Sequence, residues 1–243
     1  MITLTANATS YMVSDLTTDW DNAINGNFAD ETFVNSGDEN PFGVQYIASQ
    51  YKIWRVVFHF QKNFSGYVQF NDNSNTIGTM TIGCTDPAEN SLGDRDECRA
   101  IFMLHIDNNG VESTLGNGSW NDFGNKIQSN STNMNSLGPV ILKTITWPTS
   151  TTAPGTDARE ARHKMEKILN KDNTHLGVML MGSQDFNALS SSEGGTNTQP
   201  DAVSQIMRVA THAHSDTSMR PTLNLNADVV EESNTFDHSH ELY

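Results

Sequence analysis

Tyr51-Lys52-Ile53-Trp54-Arg55-Val56-Val57-Phe58-His59-Phe60 is the densest apolar stretch of this 243-residue chain. At a period of two residues its side chains separate into an apolar face and a mainly polar face: Trp54, Val56, Phe58 and Phe60 against Arg55, Val57, His59 and Gln61. An extended chain directs successive side chains to opposite faces. The stretch therefore predicts a half-buried β-strand.

The same alternation recurs along the chain, in runs bounded by Gly, Asn or Asp turn residues. Further strands are predicted at Ile2 and Leu4, Val68 and Phe70, Met80 and Ile82, Phe102 with Leu104 and Ile106, and over residues 140–147, 176–181 and 222–226. Many short strands separated by polar turns are typical of sandwich folds. The expected fold class is all-β, an antiparallel, jelly-roll-like β-sandwich with one or two short helices and long loops.

Two stretches carry helical spacing. Over residues 158–169 apolar side chains recur every three or four positions, and Asp157 with Glu160 forms a capping pair at the start. A second helix is predicted over residues 201–210, through Ala202, Val203, Ile206, Met207 and Ala210. We expect the first helix to close one end of the sandwich.

Length and composition favour one domain, because 36% hydrophobic residues can support a core and no linker separates two cores. We expect a single sandwich domain over residues 1–228 and a peripheral acidic tail over 229–243. The polar regions 14–43, 107–138 and 182–200 are too long for hairpin turns. They are expected to form the loop surface at which recognition takes place.

The chain has 14 basic and 29 acidic residues, a formal charge of −15 at pH 7. It should repel nucleic acid and anionic lipid, whose binding needs clustered Lys and Arg, so neither is an expected partner. No apolar stretch approaches the length of a membrane span. The start, Met1-Ile2-Thr3-Leu4-Thr5, does not resemble a secretory signal. We expect synthesis in a host cytoplasm and release without a signal peptide, to a virus particle or the extracellular medium.

Several motifs occur in the order found in DNRLRE-type domains, a β-sandwich family related to carbohydrate-binding modules. They are Trp54-Arg55-Val56-Val57-Phe58-His59-Phe60, Thr146-Trp147 before the helix at 158–169, Leu176-Gly177-Val178-Met179-Leu180, Phe186 with residues 190–193, and Arg220-Pro221-Thr222-Leu223. The chain departs from the family at Gln61, where an Asp is expected, and at Ser192, where an Arg is usual. The resemblance implies a jelly-roll-like sandwich that binds or builds surfaces and performs no chemistry.

Cys84 and Cys98 flank the acidic loop 85–97 at the edges of two predicted strands. In an antiparallel hairpin they would face each other, so a disulfide could close the loop, with a stabilisation of roughly 3 kcal/mol. Two half-buried thiols are the alternative.

His212 and His214 lie two residues apart, a spacing that places both imidazoles on one face of a strand within reach of a transition metal. A simple polar surface is the alternative. The acidic loops 15–21, 71–73 and 94–97 could hold Ca²⁺ through oxygen ligands, but a solvated charged surface is the commoner explanation. No cofactor is expected, and Ca²⁺ is the alternative.

Loop aromatics beside Asn and Asp could bind carbohydrate, because pyranose C–H faces pack on aromatic rings while polar neighbours hold the hydroxyls. The candidate residues are Trp20 with Asp19 and Asp21, and Trp120 with Asn121 and Asp122. Each Trp could equally be buried under its own loop or within a subunit contact.

No nucleophile elbow, phosphate loop, HExxH pair or kinase signature is present in the sequence. The expected function is that of a non-enzymatic structural protein on the exterior of a virus (phage) particle, such as a capsid decoration, collar or tail-fibre component. Its expected partners are other virion proteins, further copies of itself in a homo-oligomer, and host surface polysaccharide. The alternatives are a carbohydrate-binding module or lectin, and a polysaccharide-degrading enzyme.

Overall fold

The structure is a computed structural model that describes residues 1–14, 17–20, 23, 37–62, 64–71, 74–85, 97–103, 126–128, 132–133, 141–148, 162–163, 165–166, 169–170, 175–189, 195–202 and 204–230. Its strands are β1 (Ile2–Thr5), β2 (Ala8–Val13), β3 (Glu39–Ile47), β4 (Gln50–Gln61), β5 (Tyr67–Phe70), β6 (Thr76–Thr85), β7 (Glu97–Met103), β8 (Lys126–Gln128), β9 (Thr132–Asn133), β10 (Ile141–Pro148), β11 (His175–Gly182), β12 (Gln205–Ala210), β13 (Thr222–Leu225) and β14 (Ala227–Val230). A short α-helix spans Ser183–Ala188, and a 3₁₀ turn spans Thr217–Met219.

The large antiparallel sheet folds into two packed layers. In the first layer β6 lies between β10 on one side and β13 on the other, and β1 extends the layer beyond β13. In the second layer β4 pairs with β2, β3 and β11, and β7 extends the layer from β11 toward β8 and β9. β12 pairs with β3 and also with the end of β6, and so connects the layers. The predicted antiparallel β-sandwich is confirmed.

A single apolar cluster, here called the inner core, fills the space between the layers. From β4 it takes Val56, Phe58 and Phe60, and it combines them with buried side chains of β1, β6, β10, β11 and β13. The Trp147 indole of β10 donates a hydrogen bond of 3.2 Å to the Ala100 carbonyl oxygen of β7, which ties the two layers together. Period-two alternation on β4 thus directs one face into the sandwich, as the sequence predicts.

The structure places strands at each predicted strand segment within the described residues. β1, β4, β5, β6, β7, β10, β11 and β13 cover them, with Leu104 and Ile106 outside the described part of the chain. The first predicted helix is also confirmed where it is described: positions 162, 163, 165, 166 and 169 are helical, and Met165 and Leu169 are buried in the inner core. Its capping pair, Asp157 and Glu160, lies outside the described residues.

The predicted second helix over residues 201–210 is wrong. Residues Gln205–Ala210 form β12, which pairs with Val44 through Glu39 of β3. Met207 and Val209 enter the inner core at a spacing of two. The spacing of the apolar residues fits both a helix and a strand. The segment forms a strand because it pairs with β3 and β6.

The disulfide expected from a hairpin of two neighbouring strands does not form. Cys84 lies on β6 opposite Ile141 and Val209, whereas Cys98 lies on β7 opposite Gly182 and Thr132. The two strands are not neighbours, and both cysteines are buried thiols in the inner core. Burial raises the pKa of Cys84 to about 12, although the positive charge of Lys143 acts in the opposite direction. A thiol of this kind is chemically inert at neutral pH.

The last described strand, β14, pairs with β5 in a separate two-stranded sheet. It includes Val229 and Val230, two residues beyond the expected end of the domain at residue 228. Within the described ranges, none of the helices combines the length and the apolar character that crossing a bilayer requires.

Candidate functional site

A second apolar cluster covers the outer face of β4, on the opposite side of its sheet from the inner core. We call it the outer layer. It consists of Trp20, Ala23, Val44, Tyr51, Ile53, Val57, Ile101, Met179, Met181, Phe186, Ala188 and Leu189. Strand β4 is therefore buried on both faces, so the prediction of a half-buried strand is wrong. Short segments from distant parts of the chain cover the face that the sequence pattern assigned to solvent.

A buried ion pair attaches the short helix to this face. The Arg55 guanidinium of β4 donates two hydrogen bonds to the Asp185 carboxylate, Nε to Oδ2 at 2.8 Å and Nη2 to Oδ1 at 2.9 Å. Both side chains are 0% exposed. A bidentate Arg–carboxylate pair fixes orientation as well as distance, so it determines how the helix lies on the sheet.

Two glycines let the helix begin where it does. Gly182 ends β11 next to Gly43 of β3, and a Cβ at Gly182 would lie 3.0 Å from the Gly43 Cα. Gly43 itself has φ +120°, and a Cβ there would collide with the Gln205 carbonyl oxygen of β12. Only residues without a side chain allow the backbones to approach this closely.

Tyr51 joins the outer layer to the segment that contains Trp20. The backbone N–H groups and carbonyl oxygens of Tyr51 and Thr17 exchange hydrogen bonds of 2.7 and 3.1 Å. The Tyr51 ring packs edge-on against the Trp20 ring, with centroids 5.3 Å apart. The Tyr51 hydroxyl lies 3.5 Å from the Pro200 carbonyl oxygen and 3.5 Å from Gln199 Nε2. Tyr51 thus contacts both the segment that contains Trp20 and the segment that contains Gln199 and Pro200. The surface between these two segments forms a depression.

The short helix holds the second side of that depression. The Asn187 carbonyl oxygen accepts hydrogen bonds from the backbone N–H groups of Thr196 and Thr198, at 3.0 and 3.1 Å. The Leu189 carbonyl oxygen accepts one from the N–H of Asn197, at 2.9 Å. Asn197 has φ +52°, in the left-handed region that Asn tolerates better than most residues. The polypeptide therefore turns sharply at Asn197.

The depression is a pocket of about 470 Å³. The described residues that line it are Thr18, Asp19, Trp20, Ala188, Asn197 and Gln199. This volume lies within the range of small-molecule sites. The lining offers a hydroxyl, a carboxylate, two amides and an indole, so most of its groups form hydrogen bonds.

Two of the predicted carbohydrate-binding residues, Asp19 and Trp20, lie in this pocket. The stacking platform expected of Trp20 is not what the structure shows, because the side chain is only 5% exposed and its ring packs on Tyr51. Its Nε1 is buried and has no hydrogen-bond partner in the described part of the chain. Trp20 therefore lies in the pocket wall as a mostly buried ring, and its Nε1 is not accessible from solvent.

The remaining predicted carbohydrate-binding residues, Asp21, Trp120, Asn121 and Asp122, lie outside the described residues. The sequence reasoning missed the amide-bearing residues Asn197 and Gln199. The signal for them was the run Thr196-Asn197-Thr198-Gln199-Pro200, in which hydrogen-bonding side chains lead to a proline that precedes a strand.

The two candidate metal ligands do not lie on a strand. Residues 212 and 213 form a turn that follows β12. The His212 Nδ1 contacts Thr9 Oγ1 at 3.1 Å, and the His214 Nδ1 accepts a hydrogen bond of 3.1 Å from the Asp216 N–H. Burial, and secondarily the charge of Arg220, lower the pKa of His212. Both Nδ1 atoms thus take part in contacts within the protein.

The described residues contain no group of three or more His, Cys, Asp or Glu side chains that could hold a metal ion. Of the acidic loops predicted as Ca²⁺ candidates, residues 15, 16, 21, 72, 73 and 94–96 lie outside the described ranges.

A Ser–His contact also lies beneath the outer layer. The Ser10 hydroxyl and the His59 Nε2 are 2.8 Å apart, and both side chains are buried. Two buried polar groups gain stability by bonding to each other, and this contact does not present a hydroxyl to solvent.

Comparison with known proteins leaves the chain without an assigned family. No protein-family model matches it, and a search of curated proteins finds no match. The resemblance to DNRLRE-type domains therefore stays a prediction, and the pocket between Trp20 and Gln199 provides the main structural evidence for a function.

Proposed function

We propose that the chain is a non-enzymatic β-sandwich protein that binds carbohydrate through the pocket beside Trp20. One observation carries the proposal: residues 18–20 and residues 197–199 bring four accessible hydrogen-bonding side chains, those of Thr18, Asp19, Asn197 and Gln199, around a single depression. Of the expected functions, this pocket favours contact with polysaccharide, whether the protein acts alone as a lectin or as part of a larger assembly.

The chemistry of the lining suits a saccharide. A sugar ring carries several hydroxyl groups, and each both donates and accepts hydrogen bonds. The Asp19 carboxylate accepts hydrogen bonds, and the Thr18 hydroxyl and the amides of Asn197 and Gln199 both donate and accept them. Ala188 supplies an apolar surface on which ring C–H groups can pack.

The pocket is also attached to rigid elements. Tyr51 lies on the central strand β4, and Arg55 of the same strand anchors the helix that carries Ala188. Binding groups held on a sheet lose little conformational entropy when a ligand arrives.

A position on the exterior of a virus particle, as a capsid decoration, collar or tail-fibre component, is part of this proposal. A net charge of −15 supports it, since an acidic protein avoids nonspecific attachment to nucleic acid and anionic lipid. The test is mass spectrometry of purified particles from infected cultures. Finding the chain only among soluble cellular proteins would contradict the particle location and leave the lectin function standing.

The carbohydrate proposal is tested by glycan-array binding of the purified protein and two pocket variants. Asn197→Gly removes an amide while preserving a backbone that needs positive φ, and Gln199→Ala removes the other amide. Each should weaken binding by about two- to tenfold, the effect of one lost hydrogen bond.

The control variant is Thr144→Ala, an exposed position on β10 that does not line the pocket, and it should bind as the unmodified protein does. Equal binding by all variants, or no binding by the folded protein, would contradict the proposal. New reducing ends after incubation with a bound polysaccharide would show an enzyme instead.

A further inference from the structure

A polar face covers the outer side of the first sheet layer, opposite the inner core. Four neighbouring strands, β10, β6, β13 and β1, each contribute a triplet in which two polar residues flank one apolar residue: Thr144-Ile145-Thr146, Thr79-Met80-Thr81, Thr222-Leu223-Asn224 and Thr3-Leu4-Thr5. The central residue of every triplet is 0% exposed and packs in the inner core. Because successive side chains of a strand point to opposite faces, the flanking residues all lie on the outer side.

The register of the strands aligns these eight side chains in two rows. One row is Thr146, Thr79, Asn224 and Thr3, and the other is Thr144, Thr81, Thr222 and Thr5. We call the eight residues the threonine face. Neighbouring strands lie about 4.8 Å apart, and residues two positions apart on one strand lie about 6.7 Å apart. The threonine face therefore repeats in two directions.

The threonine face is accessible to solvent and uncharged. Thr3, Thr5 and Thr144 are exposed, and the other five residues are partly exposed. Lys, Arg, Asp and Glu make up 18% of the chain, and none of them belongs to the face. Threonine supplies 25 of the 243 residues of the chain but seven of these eight positions. The preference of threonine for strands does not by itself require the same side chain at the same register on four strands.

Several hydroxyl groups of the threonine face are available to a ligand. The Oγ1 atoms of Thr81 and Thr144 lie 3.5 Å apart at the centre of one row. The hydroxyls of Thr5, Thr79 and Thr146 form no hydrogen bond within the described part of the chain. Each threonine also presents a methyl group beside its hydroxyl. The face thus offers hydrogen-bonding and apolar groups at regular intervals.

We propose that the threonine face binds the surface of ice. A face that repeats in two directions suits a ligand that repeats in two directions, and the oxygen atoms on the faces of an ice crystal repeat at spacings close to those between and along the strands. The hydroxyls can donate to and accept from lattice water, and the methyl groups restrict the orientations of the water molecules next to them. Side chains held on a sheet need little further ordering to make these contacts.

The composition of the face favours ice over other partners. Sugar rings of a crystalline polysaccharide pack on aromatic rings, and none of the eight residues is aromatic. The cores of protein interfaces are enriched in aromatic residues, Met and Arg, which the face also lacks. A lattice of neutral water molecules needs neither aromatic rings nor charges. The proposal does not depend on the carbohydrate pocket, which lies on the other layer.

The test measures thermal hysteresis, the gap between the melting and freezing temperatures of an ice crystal held in a solution of the purified protein. Partition of the protein into slowly growing ice is the second readout. The unmodified protein should show thermal hysteresis and enter the ice. Thr81→Lys and Thr144→Lys should each reduce the hysteresis at least about fivefold, because a long charged side chain holds the face away from the crystal.

Gln69→Lys is the matched control. It adds the same charge at an exposed strand position of β5, outside the threonine face, and it should leave the hysteresis unchanged. Circular dichroism and urea denaturation check that each variant is folded. Thr144 is exposed, so its replacement keeps the test valid if Thr81→Lys does not fold. Glycan binding through the pocket should be the same in Thr144→Lys and the unmodified protein, so the two proposals fail independently.

Three outcomes would refute the proposal. The first is a folded protein that shows neither thermal hysteresis nor partition into ice. The second is an equal loss of hysteresis in Gln69→Lys and Thr144→Lys, which would attribute the effect to charge alone. The third is binding to an insoluble polysaccharide, or self-association, that Thr144→Lys abolishes while ice binding is absent. That result would assign the threonine face to a different partner.

Discussion

The two faces of strand β4 are buried by different means. The inner face carries Val56 and Phe58, which pack against apolar side chains of a second sheet layer. The outer face carries Arg55 and Val57, which are equally buried but covered by a helix of six residues and by the segment near Trp20. A second sheet layer covers the inner face continuously, whereas the outer face is covered by separate short segments of the chain.

This difference explains why, among the described residues, a buried charged pair covers the outer face of β4. Short segments bury little apolar surface, so they cannot offset the conformational entropy of ordering them by packing alone. The bidentate Arg55–Asp185 pair fixes the orientation of the short helix on the sheet, which apolar packing alone does not fix. The pocket then forms where the segments of the outer layer meet.

Of the substitutions that probe the two faces of β4, removal of the Arg55–Asp185 ion pair should lower the free energy of unfolding most. Asp185→Ala leaves Arg55 buried without its carboxylate, and we expect a loss of about 3–5 kcal/mol in the free energy of unfolding. Urea denaturation followed by circular dichroism measures it. The double variant Arg55→Met with Asp185→Leu should recover most of the loss, because it removes both charges. A loss below about 1 kcal/mol in Asp185→Ala would show that the helix does not depend on the pair.

Val56 and Val57 are adjacent on β4 and lie on opposite faces, so truncating each of them compares the packing of the two faces. Val56→Ala, on the inner face, should cost about 2–3 kcal/mol, because the surrounding layers cannot move into the cavity. Val57→Ala, on the outer face, should cost about 1–2 kcal/mol, because the short covering segments can partly fill the space. Both side chains are 0% exposed, so burial is matched. Equal losses in urea denaturation would mean that the outer layer is packed as rigidly as the inner core.

The inner core should also respond to alkaline pH through Cys84. Its pKa is raised to about 12 by burial, from 9.0, so the unfolded chain loses this proton first as the pH rises. The contribution to stability is complete below pH 9 and decreases by about 1.4 kcal/mol per pH unit between pH 9 and 12.

The check is the stability difference between the unmodified protein and Cys84→Ala, measured by urea denaturation across this range. The difference should shrink as the pH rises, since the variant lacks the thiol. A constant difference would show that the Cys84 pKa is not raised by folding.

The smallest expected effect is at the pocket. Tyr51→Phe removes the hydroxyl that lies 3.5 Å from Pro200 and Gln199, and it keeps the ring contact with Trp20. These are long contacts, so the stability loss should be about 0.5 kcal/mol. Glycan affinity should fall about two- to fivefold, because Gln199 loses a positioning contact. A larger loss of stability than that of Val57→Ala would contradict the view that Tyr51 mainly orders the pocket.

Local patterns predicted the strands because apolar and polar side chains alternate within each strand. This alternation does not depend on which strand is the pairing partner. Residues 201–210 show the limit of this reasoning: their spacing fits a helix and a strand, and only the pairing with β3 and β6 selects the strand. The helix Ser183–Ala188 is too short to carry a periodic signal, and it depends on a partner 130 residues away. Cys84 and Cys98 were placed on the correct strands, but the neighbours of those strands were not predictable from the loop between them.

The sequence predicted Asp19 and Trp20 as binding residues because an aromatic residue among acidic and polar neighbours indicates a binding loop, and both residues line the pocket. The burial of the Trp20 ring was not predictable, since it depends on Tyr51, a residue 31 positions later. The sequence by itself determined that β4 alternates an apolar face with a mainly polar one. Only the tertiary structure decided what covers the outer face and which residues meet in the pocket, because those contacts join segments whose separation no local pattern records.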